Sequence, residues 1–93
     1  MIISFKCEET EKIYNRNFSR KFPHNIQRTA MRKLWMLHAA ININDLRVPP
    51  ANHLELLKGN KKGKYSIRIN DQWRICFCWA GGNAAEVEII DYH

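Results

Sequence analysis

A change in hydrophobic period near the middle of the chain constrains its fold more than any other feature of the sequence. Between Asn25 and Ala40, apolar residues recur every three or four positions, which is the period of one helix face. From Tyr65 onward, apolar and polar residues alternate, which is the period of a half-buried strand. Helices followed by a run of strands indicate an α+β domain, in which two N-terminal helices pack on one face of a mainly antiparallel sheet.

Two helices are predicted in the first half of the chain. The first runs from Glu8 to Phe18 and has acidic residues in its first turn, where the helix dipole favours negative charge. The second runs from Asn25 to Ala40. Its apolar stripe consists of Ile26, Ala30, Leu34, Leu37 and Ile41. The cations off that stripe are interpreted as a solvated helix face, with phosphate contact as the alternative; they are Arg28, Arg32 and Lys33.

Strands are predicted on both sides of the helical part. A short β-prone run occupies residues 2–6, and alternating strands occupy residues 65–70 and 73–79. The glycines of residues 81–83 predict a turn, after which a last strand runs from Glu86 to Tyr92. The segment from Asn42 to Asn52 contains two consecutive prolines and is predicted to be a connecting loop.

The turn at residues 70–72 determines which residues face each other across the hairpin. The two flanking strands can share one buried face only if the loop holds an odd number of residues, so a three-residue loop is predicted. That register places Arg68 opposite Arg74, and like charges facing each other repel. Either the two side chains splay apart or meet acids such as Glu86 and Glu88, or the surface is arranged to receive an anion.

Size and charge limit the kind of site to expect. A chain of 93 residues can form one domain, 1–93, with a modest core and little room for a deep pocket. An open, shallow site suits a polymeric substrate better than a small metabolite. The net charge of +6 favours a polyanionic partner such as a nucleic acid. Charge alone does not decide the matter, because many small proteins are basic.

The cysteines, Cys7, Cys76 and Cys78, are odd in number and form no disulfide framework or zinc motif. They are interpreted as buried or half-buried thiols, and neither a metal nor another cofactor is expected. The first residues are too short a segment for a signal peptide, and no apolar run approaches the length of a membrane span. The chain is therefore expected in the cytoplasm, without a membrane partner.

A segment rich in lysine and glycine precedes the strand that carries Arg68. Its glycines let the backbone bend, and its lysines supply mobile charges near the same sheet edge. The spacing is not that of a P-loop, and a solvated hairpin loop would tolerate the same composition. The convergence of these lysines with Arg68 and Arg74 favours a phosphate-binding surface. The lysines are Lys58, Lys61, Lys62 and Lys64.

The last three residues, Asp91, Tyr92 and His93, offer a carboxylate, a phenol and an imidazole. Polar tails are often frayed, but this tripeptide continues a predicted strand and is expected to be held on the sheet. Attack of an RNA 2′-hydroxyl on its own phosphate needs a base, an acid and cations, and no metal. Asp91 and His93 are candidates for proton transfer, with the base and acid unassigned. Tyr92 is a candidate to stack on a base.

Several motifs, taken together and in order, resemble the HigB toxins within the wider RelE/ParE group. The resemblance covers nearly the whole chain. Its motifs are Met1-Ile2-x-Ser4-Phe5, Leu57-Lys58-Gly59, Lys64-Tyr65-Ser66-Ile67-Arg68-Ile69-Asn70, Trp73-Arg74-Ile75-Cys76-Phe77 and Asp91-Tyr92-His93.

The resemblance implies a RelE-like, microbial-ribonuclease-like fold and cleavage of mRNA in the A site of the translating ribosome. It also implies neutralisation by a co-encoded, HigA-like helix-turn-helix antitoxin. Gln72 and Trp73 would lie in the substrate-facing turn, beside the RNA-binding cations. The catalytic roles of the family would fall on Lys58, Arg74, Asp91, Tyr92 and His93.

One position departs from the family pattern. Some relatives have a second histidine shortly before the Lys-Gly pair, where this chain has Glu55. His53 lies two residues away and, by strand alternation, is expected to share a face with Glu55. Both are accessory candidates, and a role for Glu55 in proton transfer is left open.

Two other functions compete with the endoribonuclease. A non-catalytic inhibitor of DNA gyrase, resembling the ParE branch, would leave RNA uncut, and it would not need the set of histidine and cations. A plain nucleic-acid-binding module would bind through Arg74 without forming a product.

Overall fold

The two predicted helices are present in the computed structural model, which describes residues 1–57 and 63–92. Helix α1 spans Glu8–Tyr14 and helix α2 spans His24–Ala39. The acidic first turn of α1 is confirmed. In the described part of the chain, neither helix combines the length and the apolar character that a membrane crossing requires.

Helix α1 ends one turn earlier than predicted, because Arg16 adopts a left-handed conformation with φ 68°. The backbone N–H of Asn17 donates to the Lys12 carbonyl at 2.8 Å, and that of Arg16 donates to the Ile13 carbonyl at 3.1 Å. These two bonds form a Schellman motif, which closes a helix and points the chain away from its axis. The prediction that this helix reaches Phe18 is therefore wrong.

The apolar stripe of α2 is confirmed over four of its five members. Ile26 is 3% exposed, and Ala30, Leu34 and Leu37 are fully buried. Ile41 is 83% exposed, because the helix ends at Ala39 before that residue is reached. Its assignment to the core is wrong.

Among the described residues, the sheet contains four antiparallel strands that lie side by side in chain order. The first residues of the chain run parallel to the outer strand through two isolated bridges, Ile2 to Ala84 and Phe5 to Val87, and do not form a full strand. The prediction of a mainly antiparallel sheet is confirmed. The strands are β1 (Glu55–Leu56), β2 (Lys64–Arg68), β3 (Trp73–Ala80) and β4 (Asn83–Asp91).

The three-residue turn and its register are also confirmed. Arg68 pairs with Arg74 across the β2–β3 ladder. The side-chain oxygen of Asn70 accepts hydrogen bonds from the backbone of Gln72 at 2.9 Å and of Trp73 at 2.8 Å, which closes the turn.

The two faces of the sheet differ in what covers them. Odd-numbered residues of β2 and β3, with Val87 and Ile89 of β4, form the core beneath the helices. Side chains on the other face are mostly polar, and we call it the polar face. It is defined by Ser66, Arg68, Arg74, Cys76, Glu88 and Tyr92.

The connection before β1 has more structure than the predicted loop. It forms two 3-10 helices, Ile43–Arg47 and Pro50–Asn52, and the first begins with a capping box between Asn42 and Asp45. Asn52 is fully buried and donates to the Leu46 carbonyl at 3.1 Å. Lys33 donates from α2 to the Asn52 side chain, and burial lowers the pKa of Lys33. Its assignment to a solvated face is wrong, whereas Arg28 and Arg32 are exposed as predicted.

The cysteine side chains occupy the environments predicted for them. Cys76 is 4% exposed, and Cys7 and Cys78 are half-buried. Within residues 1–57 and 63–92, no group of three or more His, Cys, Asp and Glu side chains is arranged to hold a metal ion.

Candidate active site

Arg74 is the most buried cation among the described residues of the polar face, and only 6% of it is exposed. Its Nε donates to the Ser66 hydroxyl at 2.8 Å. Its Nη2 donates to the His53 carbonyl at 2.5 Å and to the Ser66 carbonyl at 3.3 Å. These three acceptors fix the plane of the guanidinium, because its N–H bonds point in fixed directions within that plane.

Two exposed functional groups lie next to the guanidinium of Arg74. The Glu55 carboxylate lies 3.8 Å from Nη1, and the Tyr92 ring lies 5.3 Å from the guanidinium carbon. Both partners are about half exposed, whereas the arginine between them is buried. The result is a buried, oriented positive charge next to an exposed carboxylate and an exposed phenol ring.

The backbone of His53, rather than its ring, contributes to this arrangement. His53 has φ 42° and follows the second 3-10 helix, so it does not belong to β1. The expectation that it shares a strand face with Glu55 is therefore wrong. Its carbonyl accepts from Arg74, and its side chain is exposed.

Arg68 and Arg74 avoid repulsion by pairing with separate acids. Arg68 binds Asp71 within the same turn, while Arg74 faces Glu55. Glu86 and Glu88, the acids suggested from the sequence, have other partners. Glu88 pairs with Lys6 at 3.5 Å, and Glu86 accepts from the Cys78 thiol at 3.4 Å.

The end of β4 is tied to the β2–β3 turn, as the sequence predicts. The backbone N–H of Tyr92 donates to the Gln72 carbonyl at 2.6 Å, and the Gln72 amide donates to the Asp91 carboxylate at 3.0 Å. Successive residues of a strand point to opposite faces. Tyr92 therefore lies on the polar face beside Arg74, while Asp91 lies at the edge of the other face, opposite Trp73.

The structure does not bring every predicted residue to this surface. The Trp73 ring packs edge-on against Phe22 at 5.6 Å, on the helix side of the sheet. Lys64 is half-buried at the start of β2, on the polar face. The other predicted site residues, Lys58, Lys61, Lys62 and His93, lie outside the described residues.

Ser66 is the functional group that the sequence prediction missed. It is fully buried and supplies two of the three acceptors that hold Arg74. Strand alternation already places Ser66 on the same face as Arg68 and Arg74, so a signal for it exists in the sequence. A serine in such a run is also a common surface residue, and the pattern alone does not separate the two.

Comparison with known proteins assigns the family. The model of the RelE-like toxins of type II toxin–antitoxin systems, HigB, matches residues 3–93. The chain belongs to the HigB-like toxins. This HigB-like protein is 42% identical over 85 residues to Toxin HigB-1 of Vibrio cholerae, with 90% of each chain covered. It is 28% identical over 93 residues to Endoribonuclease HigB of Proteus vulgaris, with both chains covered in full.

Solved structures agree on the fold of this HigB-like toxin. YafQ from E. coli strain BL21(DE3) aligns with a TM-score of 0.59 at 13% identity, covering 98% of this chain and 91% of that one. The YoeB-YefM complex from Staphylococcus aureus gives a TM-score of 0.57 at 19% identity, covering 100% and 95%. The predicted RelE-like architecture is therefore confirmed.

Proposed function

We propose that this HigB-like toxin is a cytoplasmic endoribonuclease that cuts mRNA on the translating ribosome. One observation carries the proposal: Arg74 is buried, and Ser66 and the His53 carbonyl hold its guanidinium. The Glu55 carboxylate lies beside its Nη1, and the Tyr92 ring lies beside its guanidinium carbon. A preorganised cation of this kind stabilises charge that develops on a phosphate in the transition state. The relative named Endoribonuclease HigB supports the reaction class.

The reaction divides into a bond-forming and a bond-breaking part. The RNA 2′-oxygen loses its proton to a base and attacks the adjacent phosphorus, while Arg74 binds a non-bridging phosphate oxygen through Nη1. The bond from phosphorus to the 5′-oxygen then breaks as an acid protonates that oxygen. The products are a 2′,3′-cyclic phosphate and a 5′-hydroxyl, and the step needs no metal.

The proton-transfer residues that we propose are Glu55 and His93. The sequence also predicts Asp91 for this role, but Asp91 lies on the other face of the sheet and accepts from Gln72, so we propose that it positions the end of β4. Glu55 joins the set because its carboxylate lies 3.8 Å from the nitrogen that we assign to the phosphate, where it can act as a base. Tyr92 stacks on or orients the substrate, and Arg68, Gln72 and Trp73 support the strand ends. Four further cations bind the phosphates of the RNA and neutralise their charge: Lys58, Lys61, Lys62 and Lys64.

We propose that the ribosome orients the message at this site. Among the described residues, Glu55 and Tyr92 beside Arg74 are half-exposed and do not enclose it, so we expect free RNA to need bending into an in-line geometry before attack. Message held in the ribosomal A site is already constrained. A co-encoded, HigA-like helix-turn-helix antitoxin is proposed to neutralise the toxin.

Analysis of the cut ends tests the chemistry. Expression of the toxin should arrest growth and produce discrete cuts in translated messages, with 2′,3′-cyclic phosphate and 5′-hydroxyl ends. The His93→Ala and Glu55→Gln variants should each lose most of this cleavage. Cuts that carry 5′-phosphate ends would contradict the 2′-hydroxyl mechanism, and undiminished cleavage in both variants would contradict the residue assignment.

A further inference from the structure

The positive charge of the chain is concentrated on the helical side of the molecule. Residues 12–44 contain seven lysines and arginines and no acidic residue, whereas the rest of the chain has eight cationic and nine acidic residues. The net charge of the protein therefore comes from the last turn of α1, the connection that follows it and α2, whereas the first turn of α1 is acidic. Among the described ion pairs, none involves Arg16, Arg20, Arg28 or Arg32.

An apolar pocket lies within this cationic region. It has a volume of about 310 Å³ and opens where α1 turns toward α2. Ile13, Phe18 and Met31 supply apolar side chains to its lining. Phe18 is 58% exposed, which is unusual for an aromatic side chain in a small protein. Arg16 and Arg28 also line the pocket, and both are exposed.

The backbone at Arg16 gives a second sign of function. The residue occupies the left-handed position of a helix-closing motif, where glycine is the usual choice because it has no Cβ. An arginine there is strained by comparison. Its guanidinium lies 4.7 Å from the centre of the Trp35 ring, which holds the charge in place beside the pocket. Glu86 also has a positive φ, of 51°, so the strain singles out Arg16 only together with the pocket that Arg16 lines.

We propose that this pocket is the docking site of an acidic, amphipathic segment of the antitoxin. An apolar side chain of the segment fills the pocket beside Phe18, and carboxylates on either side of it pair with Arg16 and Arg28. The inference rests on the proposed antitoxin partner but not on RNA cleavage. It also places the antitoxin on the helical side of the sheet, away from Arg74.

Charge and shape favour this occupant over two others. A second copy of the chain would bring together two sets of arginines that have no described ion pair, Arg16, Arg20, Arg28 and Arg32, which like-charge repulsion opposes. RNA would meet the cations but would leave the apolar pocket unfilled. An acidic peptide with one apolar anchor satisfies both features, because such anchors are typical centres of binding energy.

The test measures the affinity of the full-length toxin for the antitoxin encoded beside it. Phe18→Ser, Arg16→Gly and Arg28→Glu should each weaken binding by about tenfold or more. Arg32→Glu is the matched control, because Arg32 has the same charge and lies on α2 but does not line the pocket. It should change the affinity by less than about threefold. Arg16→Gly should unfold at a temperature no lower than the wild type, because glycine relieves the left-handed strain.

The outcomes separate this inference from the proposed partner. If the wild type binds no antitoxin, the partner itself is wrong and the inference fails with it. If the wild type binds and all pocket variants bind equally well, only the docking site is wrong. Loss of a dimer in the Phe18→Ser variant would identify a second copy as the occupant. Weaker ribosome binding with unchanged antitoxin affinity would identify RNA.

Discussion

At the scale of single residues, the molecule depends on how Arg74 is held. A buried guanidinium is tolerated only when its donors have acceptors, and here a hydroxyl and two carbonyls provide them. The same bonds that stabilise the charge also orient it. Stability and activity are therefore expected to change together when these acceptors are altered.

Removing the Ser66 hydroxyl tests that coupling. Ser66→Ala leaves the Nε donor of Arg74 without its 2.8 Å partner in a buried setting. The free energy of unfolding should fall by about 1–3 kcal/mol, as measured by urea denaturation. Thr29→Ala, on the exposed side of α2, should change it by less than about 0.5 kcal/mol. Equal stability of Ser66→Ala and the wild type would show that water replaces the hydroxyl.

Glu55 is expected to affect the rate of RNA cleavage rather than the affinity for RNA. Glu55→Gln keeps the shape of the side chain but removes its basicity. Cleavage should slow by about 10²-fold or more, with little change in RNA affinity. Single-turnover rates at saturating ribosome distinguish the two effects. A faster or unchanged rate would mean that Glu55 is only a counter-ion of Arg74.

At the scale of elements, the spacing of apolar residues predicts whether a segment is a helix or a strand. It predicts poorly where that segment ends. Both helices and the antiparallel hairpin follow from the spacing of apolar residues, and the odd loop length fixes the Arg68–Arg74 register. The end of α1 does not follow, because no glycine or proline marks the left-handed turn at Arg16. The 3-10 helices are also missed, since a side-chain cap at Asn42 begins the first and a proline begins the second, and neither signal is periodic.

Alanine substitutions at and beyond the end of α2 measure where its buried stripe ends. Leu37→Ala should lower the free energy of unfolding by about 2–5 kcal/mol, because Leu37 is fully buried. Ile41→Ala should change it by less than about 0.5 kcal/mol, because Ile41 lies beyond the helix and is exposed. Urea denaturation of both variants makes the comparison. A large loss at Ile41 would place that residue in the core after all.

The capping box before the first 3-10 helix should make stability depend on pH. The Asp45 carboxylate accepts backbone hydrogen bonds from Asn42 and Ile41, both at 3.0 Å, and these bonds lower its pKa below the usual 3.8. A lowered carboxyl pKa stabilises the fold above 3.8, and this contribution is lost as the pH falls below that value. The wild type should therefore be more stable than Asp45→Asn at pH 7, with the difference shrinking toward pH 3. A difference that stays constant over this range would exclude the carboxylate as its source.

At the scale of the whole molecule, the two faces of the sheet carry different features. The helical side carries the net positive charge and the apolar pocket, while the polar face carries Arg74, Glu55 and Tyr92. Sequence alone predicts a basic protein with a hairpin of paired arginines, but not this division. The structure is needed to show that the cations of residues 12–44 lie on the helices and in the connection between them. It is also needed to show that Ser66 and the His53 carbonyl meet at Arg74.

Cleavage of programmed ribosomes by the Arg74→Lys variant tests the central claim most directly. Lysine keeps the charge but cannot make the fixed fork of bonds to Ser66 and His53. The single-turnover rate should fall by about 10²-fold or more, whereas Arg47→Lys, an exposed conservative exchange, should cut at the wild-type rate. Circular dichroism of both variants verifies that they fold. An Arg74→Lys protein that folds and cleaves as fast as the wild type would contradict the assignment of this site.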